Sequence, residues 1–142
     1  MRTIEWGAAG TVRMIDQRKL PLEHAVVEFT DYHDVARAIQ DMTIRGAPAI
    51  GAAAAFGLAL AAQQSQATTS GALLADLQEA ARTLSATRPT AVNLFWALER
   101  MLAKARAVQQ LSVRVQVQVL IEEAQAIADE DAEASRRIGT FG

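Results

Sequence analysis

Apolar and polar positions alternate along the first thirty residues, and from Thr30 onward they recur with a helical period. Thr3-Ile4-Glu5-Trp6 and Thr11-Val12-Arg13-Met14-Ile15 are short alternating runs. Gly7-Ala8-Ala9-Gly10 joins them, a connection of hairpin length with glycine at both ends. After Leu20-Pro21 a third run, Ala25-Val26-Val27-Glu28-Phe29, completes three strands. Their single apolar face needs a layer of helices to cover it.

Thr30 or Asp31 can cap a first helix that sets Val35, Ile39 and Met42 on one stripe, before Thr43 and Ile44 break out of it. A second helix is predicted from about Pro48 to Gln64. Gly51 and Gly57 inside it cost about 1 kcal/mol each relative to alanine, and close packing of neighbours against them is the expected compensation. Thr68-Thr69-Ser70-Gly71 then breaks the chain and caps a third helix, with Leu73, Leu77, Ala81 and Leu84 on one face. Thr87-Arg88-Pro89 ends that unit and opens a fourth helix carrying Leu94, Leu98, Met101, Ala105 and Val108 in register.

The stretch Val113 to Val119 alternates like a half-buried strand. Val113, Val117, Leu120, Ala124 and Ile127 also form a helical stripe, which runs on into the acidic, helix-forming residues 130–133. The fold expected is α+β and mostly helical. A small three-stranded antiparallel sheet occupies residues 1–30, and a bundle of about five helices follows over 31–142.

At 142 residues the chain suits one domain with a single core. Lys+Arg 14 against Asp+Glu 16 gives a net charge of −2, so no overall basic bias points to nucleic acid. The absence of cysteine excludes a disulfide framework and a thiolate metal site. Met1 to Gly10 has acid, tryptophan and glycine where a secretory signal needs basic and then apolar residues. The apolar run Ala47 to Ala62 is mostly alanine and falls short of a membrane span, so it reads as a buried core helix. No membrane association is expected, and the cytoplasm is the default compartment.

Candidate chemistry concentrates in Ile44-Arg45-Gly46-Ala47-Pro48-Ala49-Ile50-Gly51. Pro48 suits the first turn of a helix, where its missing N–H removes no bond. Gly46 and Ala47 carry no bulky side chain, so an anion can approach their backbone N–H groups. Arg45 adds a planar, always-charged fork that matches phosphate oxygens. Arg88 stands immediately before Pro89 in a similar position. Two arginines at two helix starts can meet on one phosphate if those helices converge. The alternative is that each arginine satisfies carbonyls or pairs with a surface carboxylate.

His24 and His33 read as neutral or solvated side chains, and nothing pairs them at metal-ligand spacing. Trp6, Phe56, Phe95 and Trp96 read as core or inter-domain packing rather than ligand stacking. Asp129-Glu130-Asp131 reads as a solvated helix face. Arg136-Arg137 complements a helix C-terminus and needs no ligand.

Arg45 to Gly51 resembles a signature of the methylthioribose-1-phosphate isomerases of methionine salvage, a family related to the regulatory subunits of translation initiation factor 2B. Ile15-Asp16-Gln17-Arg18-Lys19-Leu20-Pro21 and Arg88-Pro89-Thr90-Ala91-Val92-Asn93-Leu94-Phe95-Trp96-Ala97-Leu98 agree with it in order and spacing. The resemblance implies an intramolecular aldose–ketose isomerase that needs no cofactor and no metal. It assigns substrate-phosphate contacts to Arg45, Gly46, Ala47 and Arg88; Asp16 and Gln17 belong to a family-like motif, yet they read as architectural, fixing the hairpin against the helices. It also favours the helical reading of residues 113–119, because the family ends its first domain with a long helix there.

Members of the family are more than twice this length and carry a catalytic cysteine and aspartate in a second, Rossmann-like domain. This chain contains no cysteine. It is therefore expected to be the N-terminal domain, residues 1–142, lacking the C-terminal catalytic domain and inactive alone, with no catalytic residue of its own. Its expected partners are a phosphorylated pentose, the missing domain and further copies of itself, in a homo-oligomer such as a dimer. The alternatives are a related sugar-1-phosphate isomerase such as ribose-1,5-bisphosphate isomerase, and a non-enzymatic, initiation factor 2B-like interaction module.

Overall fold

The glycine-bounded connection near the N-terminus turns the chain back on itself. The Gly7 N–H donates to the Thr11 carbonyl at 2.7 Å and the Gly10 N–H to the Gly7 carbonyl at 3.0 Å. Gly10 takes φ +76°, a conformation that favours glycine. The flanking strands, β1 (Ile4–Trp6) and β2 (Val12–Ile15), pair antiparallel with Ile4 opposite Met14. Strand β3 (Val26–Phe29) joins the other edge of β2, also antiparallel, with Val12 opposite Phe29. Ile4, Val12 and Met14 are buried on the face that meets the helices. This computed structural model describes residues 3–19, 22, 25–44 and 46–141, the last eleven of these by backbone alone.

Asp31 caps α1 (Tyr32–Gln40), its carboxylate accepting from the His33 N–H at 2.8 Å. Val35, Ala36, Ala38 and Ile39 form the buried face. Met42, expected on that stripe, lies outside the helix, 42% exposed and with φ +68°. The cause is Asp41, whose carboxylate accepts from both the N–H and the hydroxyl of Thr43, at 2.9 and 2.6 Å. A short acidic side chain that bonds its own backbone two residues on favours a turn over another helical turn.

Helix α2 (Ala47–Gln64) is the axis of the domain, with every residue from Ile50 to Ala62 buried. A helix that is apolar all round needs neighbours on every side, and here α1, α3, α4, α5 and the sheet supply them. Its length and composition would suffice to cross a membrane, yet within the fold it is the core helix. The two internal glycines admit those neighbours. A Cβ on Gly57 would stand 3.1 Å from Leu84 and 3.4 Å from Val35, and one on Gly51 would stand 3.2 Å from the Asn93 carbonyl oxygen.

Thr69 caps α3 (Ser70–Ser85), which buries Leu73, Leu77, Ala80, Ala81 and Leu84. Helix α4 (Val92–Ala107) buries Leu94, Ala97, Leu98, Met101 and Ala105, and Val108 serves as its C-cap. The ambiguous stretch is helical, the start of α5 (Val113–Phe141). Among its residues of described burial, Gln116, Leu120, Ala124, Ile127 and Ala128 are buried. The Gln116 amide stays satisfied by donating to the Ser70 hydroxyl and the Leu111 carbonyl, both at 2.7 Å. That bond set ties α3 and the α4–α5 connection to the start of α5. The three-stranded antiparallel sheet followed by five α-helices is the α+β, mostly helical fold expected from the sequence.

Candidate functional site

The end of β2 holds the loop that leads into α2. Asp16 is 1% exposed, and its carboxylate accepts from the Arg18 N–H and Nε at 3.0 Å and from the Arg18 terminal nitrogen at 2.8 Å. These bonds from Arg18 hold the Asp16 carboxyl below the usual carboxylate range. Arg18 also lies 3.4 Å from the Asp41 carboxylate, and the Gln17 N–H donates to the Thr43 carbonyl at 2.8 Å. The hairpin is thereby fastened to the turn between α1 and α2. Ile44, fully buried, anchors the next step of that turn.

The start of α2 is open. Gly46 is the N-cap residue at φ 94° and ψ 134°, and a Cβ there would meet nothing within 4 Å among the described residues. Gly46 and Ala47 are both exposed, and no side chain caps this end. Pro48 sits inside the first turn, where it has no N–H to leave unsatisfied. Helix-start N–H groups with no capping side chain, at the positive end of an 18-residue helix, suit an anion. Arg45 lies outside the described residues.

Arg88 is half-buried, and its Nε donates to the Ile39 carbonyl of α1 at 3.2 Å. That nitrogen does what the alternative reading expected, satisfying a carbonyl. Among the described residues its two terminal nitrogens make no hydrogen bond. Pro89 does not open α4, contrary to the sequence expectation. The Thr87 hydroxyl and N–H close onto the Leu84 carbonyl at 2.6 and 3.2 Å, finishing α3. A turn over Arg88–Ala91 then closes through the Ala91 N–H and the Arg88 carbonyl at 3.0 Å. Proline directly after the first residue of such a turn is favoured there, so α4 begins three residues later, at Val92.

Beside the open start of α2 lies a cleft of about 350 Å³ lined by Gly51, Val92, Asn93 and Trp96. It forms where the bare backbone of Gly51 lets the main chain of Asn93 approach. Asn93 is exposed, and Trp96 and Phe95 are 51% and 40% exposed. Trp6 and Phe56 differ, stacking with ring centroids 5.8 Å apart and Phe56 fully buried.

One cluster next to the cleft escaped the sequence reading. Arg100 donates to Glu123 at 2.6 Å and through two nitrogens to Glu130 at 3.0 and 2.7 Å, and its guanidinium carbon sits 5.5 Å from the Trp96 ring centroid. Glu130 is thus paired rather than part of a merely solvated face. Arg100 pulls the Glu130 carboxyl below its usual range, and the two carboxylates push the guanidinium still higher. The exposed His33 ring bonds Asp31 at 2.8 Å, whereas His24 and the side chains of Arg136 and Arg137 lie outside the described residues. Among the described residues no three His, Asp or Glu side chains converge as a metal site requires.

The pattern of the initiation factor 2 subunit family matches residues 43–142. A methylthioribose-1-phosphate isomerase of Syntrophotalea carbinolica is 53% identical over 133 residues, covering 94% of this chain and 39% of that protein. One of Pelotomaculum thermopropionicum is 48% identical over 140 residues, covering 99% of this chain and 38% of that protein. Among solved structures, the 5-methylthioribose 1-phosphate isomerase of Pyrococcus horikoshii superposes with a TM-score of 0.90 at 46% identity, over 99% of this chain and 39% of that one. The delta subunit of translation initiation factor eIF-2B from A. fulgidus superposes with a TM-score of 0.85 at 40% identity, over 94% and 38%. The chain thus spans less than half the length of the relatives it matches.

Proposed function

Since the chain belongs to the initiation factor 2 subunit family, we propose that it is the N-terminal, phosphate-gripping part of an S-methyl-5-thioribose-1-phosphate isomerase. The observation that carries this reading is the uncapped start of α2, where Gly46 and Ala47 stand exposed. Identity to proteins named methylthioribose-1-phosphate isomerase, 53% and 48% against 40% to the eIF-2B delta subunit, favours the enzyme over an interaction module. The substrate phosphate accepts from the N–H groups of Gly46 and Ala47, and Arg45 and Arg88 close over it. Charge-assisted bonds of about 1.5–3 kcal/mol each, less where water reaches them, give about millimolar affinity once the cost of association is met.

The remainder of the isomerase supplies the cysteine and aspartate that move hydrogen between adjacent carbons of the opened sugar. No cysteine is present among these residues, so the 142-residue chain binds phosphate and by itself does not turn substrate over. The exposed Phe95 belongs to a surface covered by that remainder or by a second copy. The working protein is a cytoplasmic homo-oligomer.

A coupled assay of the intact gene product with methylthioribose 1-phosphate and with ribose 1,5-bisphosphate tests the assignment. Turnover of the first and not the second is expected. Preference for the bisphosphate would move the protein to the related isomerase. Inactivity on both, with a nucleotide-dependent protein partner, would make it an interaction module.

A further inference from the structure

Resting on that phosphate grip, we propose that the cleft between the N-terminal ends of α2 and α4 receives the carbon chain of the phosphorylated sugar. In it the Asn93 carboxamide binds a sugar hydroxyl, Trp96 covers the sugar's C–H face, and Arg100 is the positioning residue that holds the indole.

The cleft, at about 350 Å³, is of the size that small-molecule sites begin at. It begins one helical turn beyond Ala47, so a ligand whose phosphate rests on the start of α2 has its next atoms beside Gly51. Gly51 makes that wall from backbone alone. Asn93 lies against Gly51, exposed, and among the described residues its carboxamide has no hydrogen-bond partner. A carboxamide both donates and accepts, as a sugar hydroxyl does. Trp96 adds a broad apolar face with a polar edge. Among the described residues the lining holds no carboxylate, which suits an anionic ligand.

Arg100 fixes the indole without touching the cleft. Its three bonds to Glu123 and Glu130 lock the guanidinium to α5, and its position 5.5 Å from the Trp96 ring gives the indole a cationic backing. Two carboxylates already neutralise its charge. Arg100 therefore orients Trp96 and does not recruit the phosphate.

The chain has two tryptophans, so an amide NMR titration reads the cleft through the Trp96 indole N–H, with the Trp6 indole, stacked on Phe56, as the internal marker of an intact fold. The probes are inorganic phosphate and ribose 1-phosphate. Phosphate should shift the Gly46 and Ala47 amides and leave the Trp96 indole in place. Ribose 1-phosphate should shift all three and bind about fivefold more tightly, the worth of one net hydrogen bond plus stacking. Asn93→Ala should remove that advantage and leave phosphate affinity unchanged. Arg100→Met should displace the Trp96 signal in the free chain and also remove the advantage, again without changing phosphate affinity.

Equal binding of the two probes by the unaltered chain, or equal weakening of both by Asn93→Ala, would overturn the sugar subsite and leave the phosphate grip standing. An unmoved Trp96 signal and unchanged affinities in Arg100→Met would overturn the positioning role. Binding of neither probe at Gly46 and Ala47 would overturn the grip, and the subsite with it.

Discussion

The starts of α2 and α4 draw on similar residues, an arginine, a proline and alanine or glycine, and they fold into different devices. At α2 the proline lies inside the first turn, behind a glycine at φ 94°, and the backbone of Gly46 and Ala47 is exposed. At α4 the proline lies outside the helix, in a turn that closes on the Arg88 carbonyl, and the arginine reaches back to α1. The first start offers backbone donors. The second offers side chains, Asn93 and Trp96 in the cleft. Proline marks the neighbourhood of a helix start, and the turn that precedes it decides which groups that start presents.

The contrast depends first on α4 being seated. Leu94, in its first turn, is fully buried, and Leu94→Ala should cost about 2–5 kcal/mol in urea unfolding. Val92→Ala, two residues earlier and 77% exposed, should stay within about 0.5 kcal/mol. Similar losses from the two would mean that the start of α4 is not anchored as described.

Next comes the contact that brings the two starts together. Gly51→Val puts a branched side chain where a Cβ already stands 3.2 Å from the Asn93 carbonyl oxygen. Backbone cannot rotate away as a side chain can, so a loss of about 1–3 kcal/mol is expected. Unchanged stability would show that α4 slides aside, and the cleft with it. At the open start, Gly46→Ala meets no neighbour among the described residues and suffers the backbone penalty of its positive φ, about 1–3 kcal/mol. A chain unaffected by that change would need a different conformation at Gly46.

These positions also show what the sequence could and could not disclose. The α2 start was legible because Gly46, Ala47 and Pro48 are adjacent and act through local backbone geometry. The glycines at 51 and 57 were legible as sites of close approach, although the neighbours they admit were not. Pro89 misled because the same dipeptide serves a turn or a first helical position, and the closure of α3 on the Leu84 carbonyl decides between them. Met42 misled because Asp41 competes for the backbone after the helical stripe has been read. Gln116 interrupts a run of valines as a polar residue should in a strand, and only a partner set that includes Ser70, far along the chain, lets a helix bury it. The Arg100 cluster joins residues 23 and 30 positions apart, beyond any local period.

The smallest expected effect lies in the fastening of the hairpin to the turn before α2. The Asp16 carboxyl is lowered in the folded chain by Arg18, so its contribution is present above the ordinary carboxylate value. It is lost as pH falls through the lower folded value. Going from about pH 7 to about pH 3 should therefore reduce the urea midpoint more in the parent than in Arg18→Gln. Equal losses in both would remove Arg18 as the cause.

A crystal structure of the chain grown or soaked with inorganic phosphate tests the central claim most directly. The ion should sit on the N–H groups of Gly46 and Ala47, with the Arg45 guanidinium and the terminal nitrogens of Arg88 both about 3 Å from its oxygens, while the Arg88 Nε stays on the Ile39 carbonyl. An α2 start without the ion, with the two guanidinium groups on opposite faces of the domain, would contradict the shared phosphate grip.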